Sequence, residues 1–181
     1  MVRLVPRTAL ADEPLGPVGG VVLSEVEISE AWSVAPFRGR EAAVDAAFRK
    51  AWGLGFPQPN EALGEGGRRV LWTGRGRALV CGSAVPVAVR KIAAVTFQGD
   101  GIAALGVEGG AVEAVLARLV PVDLSAAVFP TGRTARTFVG HMAAQVTRTG
   151  QEGFEIMVMR SMGRTLVHEV RRAAEMVAAR S

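Results

Sequence analysis

Apolar residues recur along this chain with two periods, two and about three and a half, and the switches between them predict the order of elements. Val18 to Ser33 reads as one strand. In it Val21 and Leu23, then Val26 and Ile28, alternate with polar residues after a one-residue slip, which predicts a bulge near Ser24 and Glu25. After the Ala35-Pro36-Phe37 turn the period lengthens. Arg38 to Trp52 reads as a helix with Val44, Ala47, Phe48 and Ala51 on one face. Gly53 and Gly55 end it, and Pro57 and Pro59 prevent its resumption. Arg69 to Thr73 and Arg77 to Cys81 are short apolar runs around Gly74-Arg75-Gly76, which reads as a hairpin. Val85 to Arg90 is compatible with helix and with strand.

Ala93 to Gln98 and Gly101 to Val107 read as a second hairpin, joined at Gln98-Gly99-Asp100-Gly101. A helix from Ala111 to Val120 carries Val112, Val115, Leu116 and Leu119 on one stripe, and Pro121 closes it. In the run from Val139 to Arg148, Met142, Ala144 and Val146 share one face, with His141, Gln145 and Thr147 on the other. Phe154, Ile156 and Val158 mark one face of the next strand. The closing helix, about Ser161 to Ala179, has Ser161 as candidate N-cap and Leu166, Val170, Ala173 and Val177 as its buried stripe. Strands and helices intermixed through short connections predict an α+β fold with largely antiparallel sheets. Residues 1 to 17 hold three prolines and little periodicity. They read as an extended arm, either disordered alone or laid against another chain. The remainder, 18–181, is one globular unit or two lobes, 18–90 and 91–181.

Composition narrows the class. With 49% hydrophobic and 21% charged residues, the 181-residue chain is globular. The net charge is +4, and of the 21 basic residues only Lys50 and Lys91 are lysine. Acidic residues interspersed among the arginines weaken the nucleic-acid reading that a pI near 10.5 invites. The single cysteine, Cys81, allows neither an internal disulfide nor a cysteine-based metal site. No apolar stretch is long enough to span a bilayer. The N-terminus lacks the apolar core of a signal peptide, so the chain reads as cytoplasmic, without membrane or nucleic acid among its partners.

Catalytic chemistry is sparse. A nucleophile needs a neighbouring base, usually histidine. The two histidines, His141 and His168, fall on different elements. Asp123 and Asp100 occupy turn positions. Gly64, Gly66, Gly67, Gly74 and Gly76 flank the strand Arg69 to Thr73, but neither a P-loop lysine nor a glycine fingerprint opening a helix accompanies them. Turns account for them. Arg68, Arg69, Arg75 and Arg77 bracket Trp72 in the densest basic cluster. Arginine with tryptophan is a composition favoured at protein interfaces. Trp32, Phe37 and Trp52 join them as candidate interface residues. No catalytic, cofactor-binding or metal-ligating residue is assigned to the chain.

Several segments carry a family resemblance. They are Ala35-Pro36-Phe37-Arg38-Gly39, Trp52-Gly53-Leu54-Gly55-Phe56-Pro57, Val70-Leu71-Trp72-Thr73-Gly74 and the run from Val115 to Leu124, together with Phe129, Gly132, His141 and Arg160-Ser161. Their order and spacing resemble the gamma subunit of heterotetrameric sarcosine oxidase. The resemblance implies antiparallel, ferredoxin-like α+β lobes similar to the folate-binding module of the glycine-cleavage T protein. It also implies a non-catalytic subunit of an oxidoreductase complex. That complex oxidatively demethylates sarcosine to glycine, passing the one-carbon unit to tetrahydrofolate or releasing formaldehyde, and forms hydrogen peroxide. FAD, FMN, NAD, tetrahydrofolate and zinc are then expected on the alpha, beta and delta partner subunits, and none on this chain. An equivalent subunit of an N-methylglutamate dehydrogenase-type complex stands beside this reading. So does a stand-alone folate-binding protein, which needs an acidic residue facing a central cavity at a position the sequence does not identify.

Overall fold

Strand alternation decides which layer each side chain enters, and two sheets result. A computed structural model describes residues 7–64 and 67–180. Along the chain lie β1 (Gly16–Val18), β2 (Val21–Glu25), β3 (Ala31–Pro36), α1 (Glu41–Trp52), β4 (Ala62–Leu63), β5 (Arg69–Gly74), β6 (Arg77–Cys81) and α2 (Val87–Arg90). Then come β7 (Ala93–Phe97), β8 (Ile102–Glu108), α3 (Val112–Leu116), β9 (Thr134–Val139), β10 (Met142–Gly150), β11 (Gly153–Met159) and α4 (Gly163–Ala178). One sheet has the order β1-β2-β8-β11-β10-β9, the other β4-β5-β6-β3-β7, and every pairing is antiparallel.

Each sheet covers its outer face with helices. Leu105, Val107, Phe154 and Ile156 of the first sheet pack with Val115 and Leu116 of α3 and Leu166 and Val170 of α4. Val34, Val70 and Val80 of the second pack with Val44 and Phe48 of α1 and Val89 of α2. The inner faces meet each other. Ala31, Leu71, Leu79 and Cys81 from the second sheet close on Ala104 and Met157 from the first. The architecture is α+β, four layers deep, with helices outside and two antiparallel sheets inside.

The segment 18–33 is not one strand. Val21 and Leu23 bury themselves against the helices of the first sheet, whereas Val26 and Ile28 pack between the sheets. The one-residue slip is therefore where the chain leaves one sheet for the other, not a bulge. The expected hairpin over 93–107 is split in the same way. β7 pairs with β3 and β8 with β2 and β11, and the 3₁₀ turn Gly99–Gly101 carries the chain across. Edge-to-face packing of Phe97 on Trp32, with ring centroids 5.0 Å apart, accompanies β7's place in the second sheet. The sheets thus divide the chain as 31–97 against 16–25 with 102–159, rather than at residue 90.

Smaller expectations also shift. Val85 to Arg90 resolves as the short helix α2. α1 starts at Glu41, and Ala51 on its expected face is exposed. Regular helix in α3 stops at Leu116, after which single turns continue to Val120. α4 begins at Gly163 with Met162 at the cap and no side-chain cap bond, so Ser161 does not cap it. Ser161 instead lies in a 3₁₀ turn.

The N-terminal arm, where described, lies against its own domain. Leu10 is 1% exposed and joins the core under α4. Its backbone N–H donates to Glu25 Oε1 at 2.8 Å, and the Thr8 hydroxyl donates to Oε2 at 2.6 Å. The hairpin that follows turns on Gly19-Gly20, both at positive φ (53° and 80°), as a two-residue primed turn requires. A Cβ on Gly19 would fall 2.2 Å from the Ala174 carbonyl oxygen of α4, so only glycine lets this turn rest on the helix.

Candidate functional site: the cleft between the sheets

Of the predicted interface residues, the structure brings only some together. Trp32 is half-buried, donates its indole N–H to Glu30 Oε2 at 2.7 Å, and lies under the Arg90 guanidinium at 4.6 Å. Trp52 packs on Phe48, with centroids 4.7 Å apart, and Arg68 covers its ring at 5.3 Å. Trp72 is half-buried, and its carbonyl accepts from Gln145 across the two sheets. Phe37 is 50% exposed, and Arg75 and Arg77 are exposed in the β5–β6 turn region. Arg69 turns inward instead, so it is not part of the exposed basic cluster.

The residues tested for catalysis stay apart. His141 is exposed in the β9–β10 turn and His168 is exposed on α4. Asp123 accepts the Ser125 backbone N–H at 2.9 Å, and this bond, with the Ser125 hydroxyl, lowers its pKa. That is turn chemistry. Gly74 and Gly76 serve the β5–β6 turn at positive φ, while Gly66 lies outside the described residues. Among the described residues no three His, Cys, Asp or Glu side chains converge as metal ligands would.

The sheets enclose chemistry that the sequence did not single out. Arg69 Nη1 on β5 donates to Glu155 Oε2 on β11 at 2.8 Å, with side chains 16% and 4% exposed. The other carboxylate oxygen, Oε1, is buried without a hydrogen-bond partner. Alternation along β10 and β11 gives the reason. Ile156 and Val146 face the helices, so Glu155, Met157, Gln145 and Thr147 face the other sheet. Gln145 Nε2 donates to the Trp72 carbonyl at 2.9 Å and to Thr134 Oγ1 at 2.6 Å, and Thr134 and Thr147 share a 2.7 Å hydroxyl contact. Cys81 lies on the facing sheet. Burial pushes its thiol up to about 12.

A cavity of about 510 Å³ opens at this end of the inter-sheet space, lined by Glu155, Arg69, Leu71, Leu63, Val26 and Thr149 among others. A larger depression of about 730 Å³ runs along α4 past Arg164, His168 and Arg172. Its lining residues are mostly exposed and none is a buried polar group, so the smaller cleft is the better-formed site. On the opposite face of β10, Arg148 is 1% exposed and donates to Glu113, the Leu124 carbonyl and the Gln151 carbonyl, its guanidinium 4.4 Å from the Phe154 ring centroid. Those contacts fasten the 113–124 connection to the sheet. Glu155 lies on the wall of this cavity, and its one signal in the sequence was a charge inside the apolar run Phe154 to Val158.

No protein-family model and no curated protein matches the chain. Solved structures do. A chain of the heterotetrameric sarcosine oxidase from Corynebacterium sp. U-96, solved in complex with pyrrole 2-carboxylate, superposes with a TM-score of 0.82 over 96% of both chains at 23% identity. The fold is shared with that oxidase chain from end to end. Glycine cleavage system aminomethyltransferase T from Bartonella henselae matches with a TM-score of 0.54 at 17% identity, over 84% of this chain and 46% of that one. The chain is thus comparable to about half of the aminomethyltransferase and to the whole of the oxidase chain.

Proposed function

We propose that this chain is a non-catalytic, gamma-type subunit of a heterotetrameric sarcosine oxidase. The observation that carries the reading is the end-to-end match to one chain of such an enzyme, 96% of each with a TM-score of 0.82. The described side chains agree with a positioning role. The inward charges are engaged in holding sheets and loops, and the two histidines stand apart on the surface. In this reading alpha, beta and delta subunits hold FAD, FMN, NAD, tetrahydrofolate and zinc. The assembly oxidises sarcosine with oxygen to glycine and hydrogen peroxide, and the methyl carbon passes to tetrahydrofolate or leaves as formaldehyde. Trp52, Arg68, Phe37, Arg75 and Arg77 are the residues of this chain offered to partners. Among the described residues no helix is long and apolar enough to cross a membrane.

The test is purification of the tagged chain from its own cells, followed by native mass spectrometry. Co-purification with flavin-bearing chains in equal stoichiometry, and oxygen consumption on adding sarcosine, is the expected result. Turnover of N-methylglutamate in place of sarcosine would move the chain to the dehydrogenase-type complex. Recovery as a lone, colourless monomer would overturn the subunit reading.

A further inference from the structure

We infer that the open end of the first sheet's inner face is the seat of an apolar, carboxylate-bearing segment of a partner subunit. This rests on the subunit reading and names the surface through which it acts. The strand registers place four side chains in one row. Phe138 on β9 lies opposite Ala143 on β10, and Met159 on β11 lies opposite Ile102 on β8. The β10–β11 register sets Gln145 against Met157, and two residues on it sets Ala143 against Met159. The row therefore crosses four strands, about 14 Å. One row further into the sheet, Met157 and Ala104 close on the second sheet and Gln145 donates to the Trp72 carbonyl. The second sheet stops there. Phe138 is 53% exposed and Met159 69%, with Ala143 exposed and Ile102 half-buried. Single exposed apolar side chains are ordinary, but a contiguous row of them marks a surface that something else covers.

Charge selects the occupant. Arg136, two residues before Phe138 on β9, shares its face of the sheet. Its Nη1 donates to the Thr73 carbonyl at 3.3 Å, which brings the β5–β6 turn with Arg75 and Arg77 to the Phe138 end of the row. None of these three arginines has a carboxylate partner among the described residues. Asp100 stands only at the opposite, Ile102 end. A partner that carries Asp or Glu beside its apolar side chains supplies what the Phe138 end lacks. Phenylalanine, methionine and arginine are themselves favoured at protein interfaces. An anionic bilayer would answer the same charge. The turn beside the row makes it the floor of a step, however, which an inserted protein segment fills better than a flat membrane.

Methionine oxidation reads the coverage of the row directly. The tagged full-length chain is purified with its partner chains, and separately from cells that express it alone. Each preparation is pulsed with hydrogen peroxide beside N-acetylmethionine amide as a dose reference. Met159 is expected to oxidise at least about fivefold more slowly in the complex. The variant Phe138→Asp/Met159→Asp should recover at most about a tenth of the partner chain that wild type recovers. Arg75→Glu/Arg77→Glu should lower recovery in the same direction. The oxidation pulse uses wild type only, so it stands should a variant not fold. Equal oxidation of Met159 in both preparations, or full recovery by Phe138→Asp/Met159→Asp, overturns the seat and leaves the subunit reading intact. A wild-type tag that brings down no partner chain overturns both. Full recovery by Arg75→Glu/Arg77→Glu overturns the acidic character of the occupant. Wild type that binds phosphatidylglycerol vesicles, where Phe138→Asp/Met159→Asp does not, gives the row to a membrane instead.

Discussion

Arg69 and Glu155 are 86 positions apart in sequence, yet their side chains meet at 2.8 Å and join β5 of one sheet to β11 of the other. Buried pairs of this kind contribute little net stability, because desolvation of both charges offsets their attraction. Removing one partner is different, since it strands the other charge. Arg69→Met alone is expected to lower unfolding stability by about 3 kcal/mol. Arg69→Met/Glu155→Leu should regain most of that loss. Urea unfolding of the single and double variants checks both, and equal stabilities for single variant and wild type would show that the pair is not buried in solution.

Cys81 reports on the same space. Burial pushes its thiol up to about 12, so very little of the reactive thiolate is present at pH 8. A disulfide reagent such as DTNB should therefore react slowly with the folded chain and stoichiometrically once urea unfolds it. A fast native reaction would mean that the two sheets part readily.

Local elements were legible in the sequence, and the pairing of strands was not. α1 shows its helical stripe and glycine stop, and β5–β6 shows its Gly-Arg-Gly turn, because both signals lie within a few residues. β7 and β8 look like a hairpin from the same kind of signal. Their separation depends on β3 and β2 competing for them, which a period of two cannot express. β11 is buried on both faces, so the alternation of Phe154, Ile156 and Val158 assigns Glu155 to the opposite face without showing that this face is buried too. Arg69 was grouped with Arg68, Arg75 and Arg77 for its position in the chain, although strand alternation sends it inward.

Leu10 tests whether the N-terminal arm belongs to the domain. It is 1% exposed and so close to Gly163 that a Cβ there would fall 2.8 Å from Leu10 Cδ2. Leu10→Ala should cost about 2 to 4 kcal/mol, as cavity-forming substitutions in packed cores do. A loss below about 0.5 kcal/mol in thermal or urea unfolding, the range of surface substitutions, would return the arm to solvent or to a partner chain.

Asp45 gives the chain an acid-sensitive joint after α1. Its Oδ2 accepts from Arg49 Nε and its Oδ1 from the Phe56 backbone N–H, both at 2.8 Å, so it fastens the exit loop Gly53 to Phe56 to the helix. The Arg49 hydrogen bond first, and the Phe56 N–H second, hold its carboxyl below the usual value. A folded-state pKa below the unfolded one means that the stabilisation is complete above the unfolded value of about 4. It fades as pH falls through the lower folded value. Asp45→Ala removes it at every pH, so wild type should exceed the variant in stability at pH 6, and the gap should shrink on acidification from about pH 4 toward pH 2. Urea unfolding of both chains at each pH measures the gap directly. A gap that stays constant would show that the carboxylate charge plays no part in holding the loop.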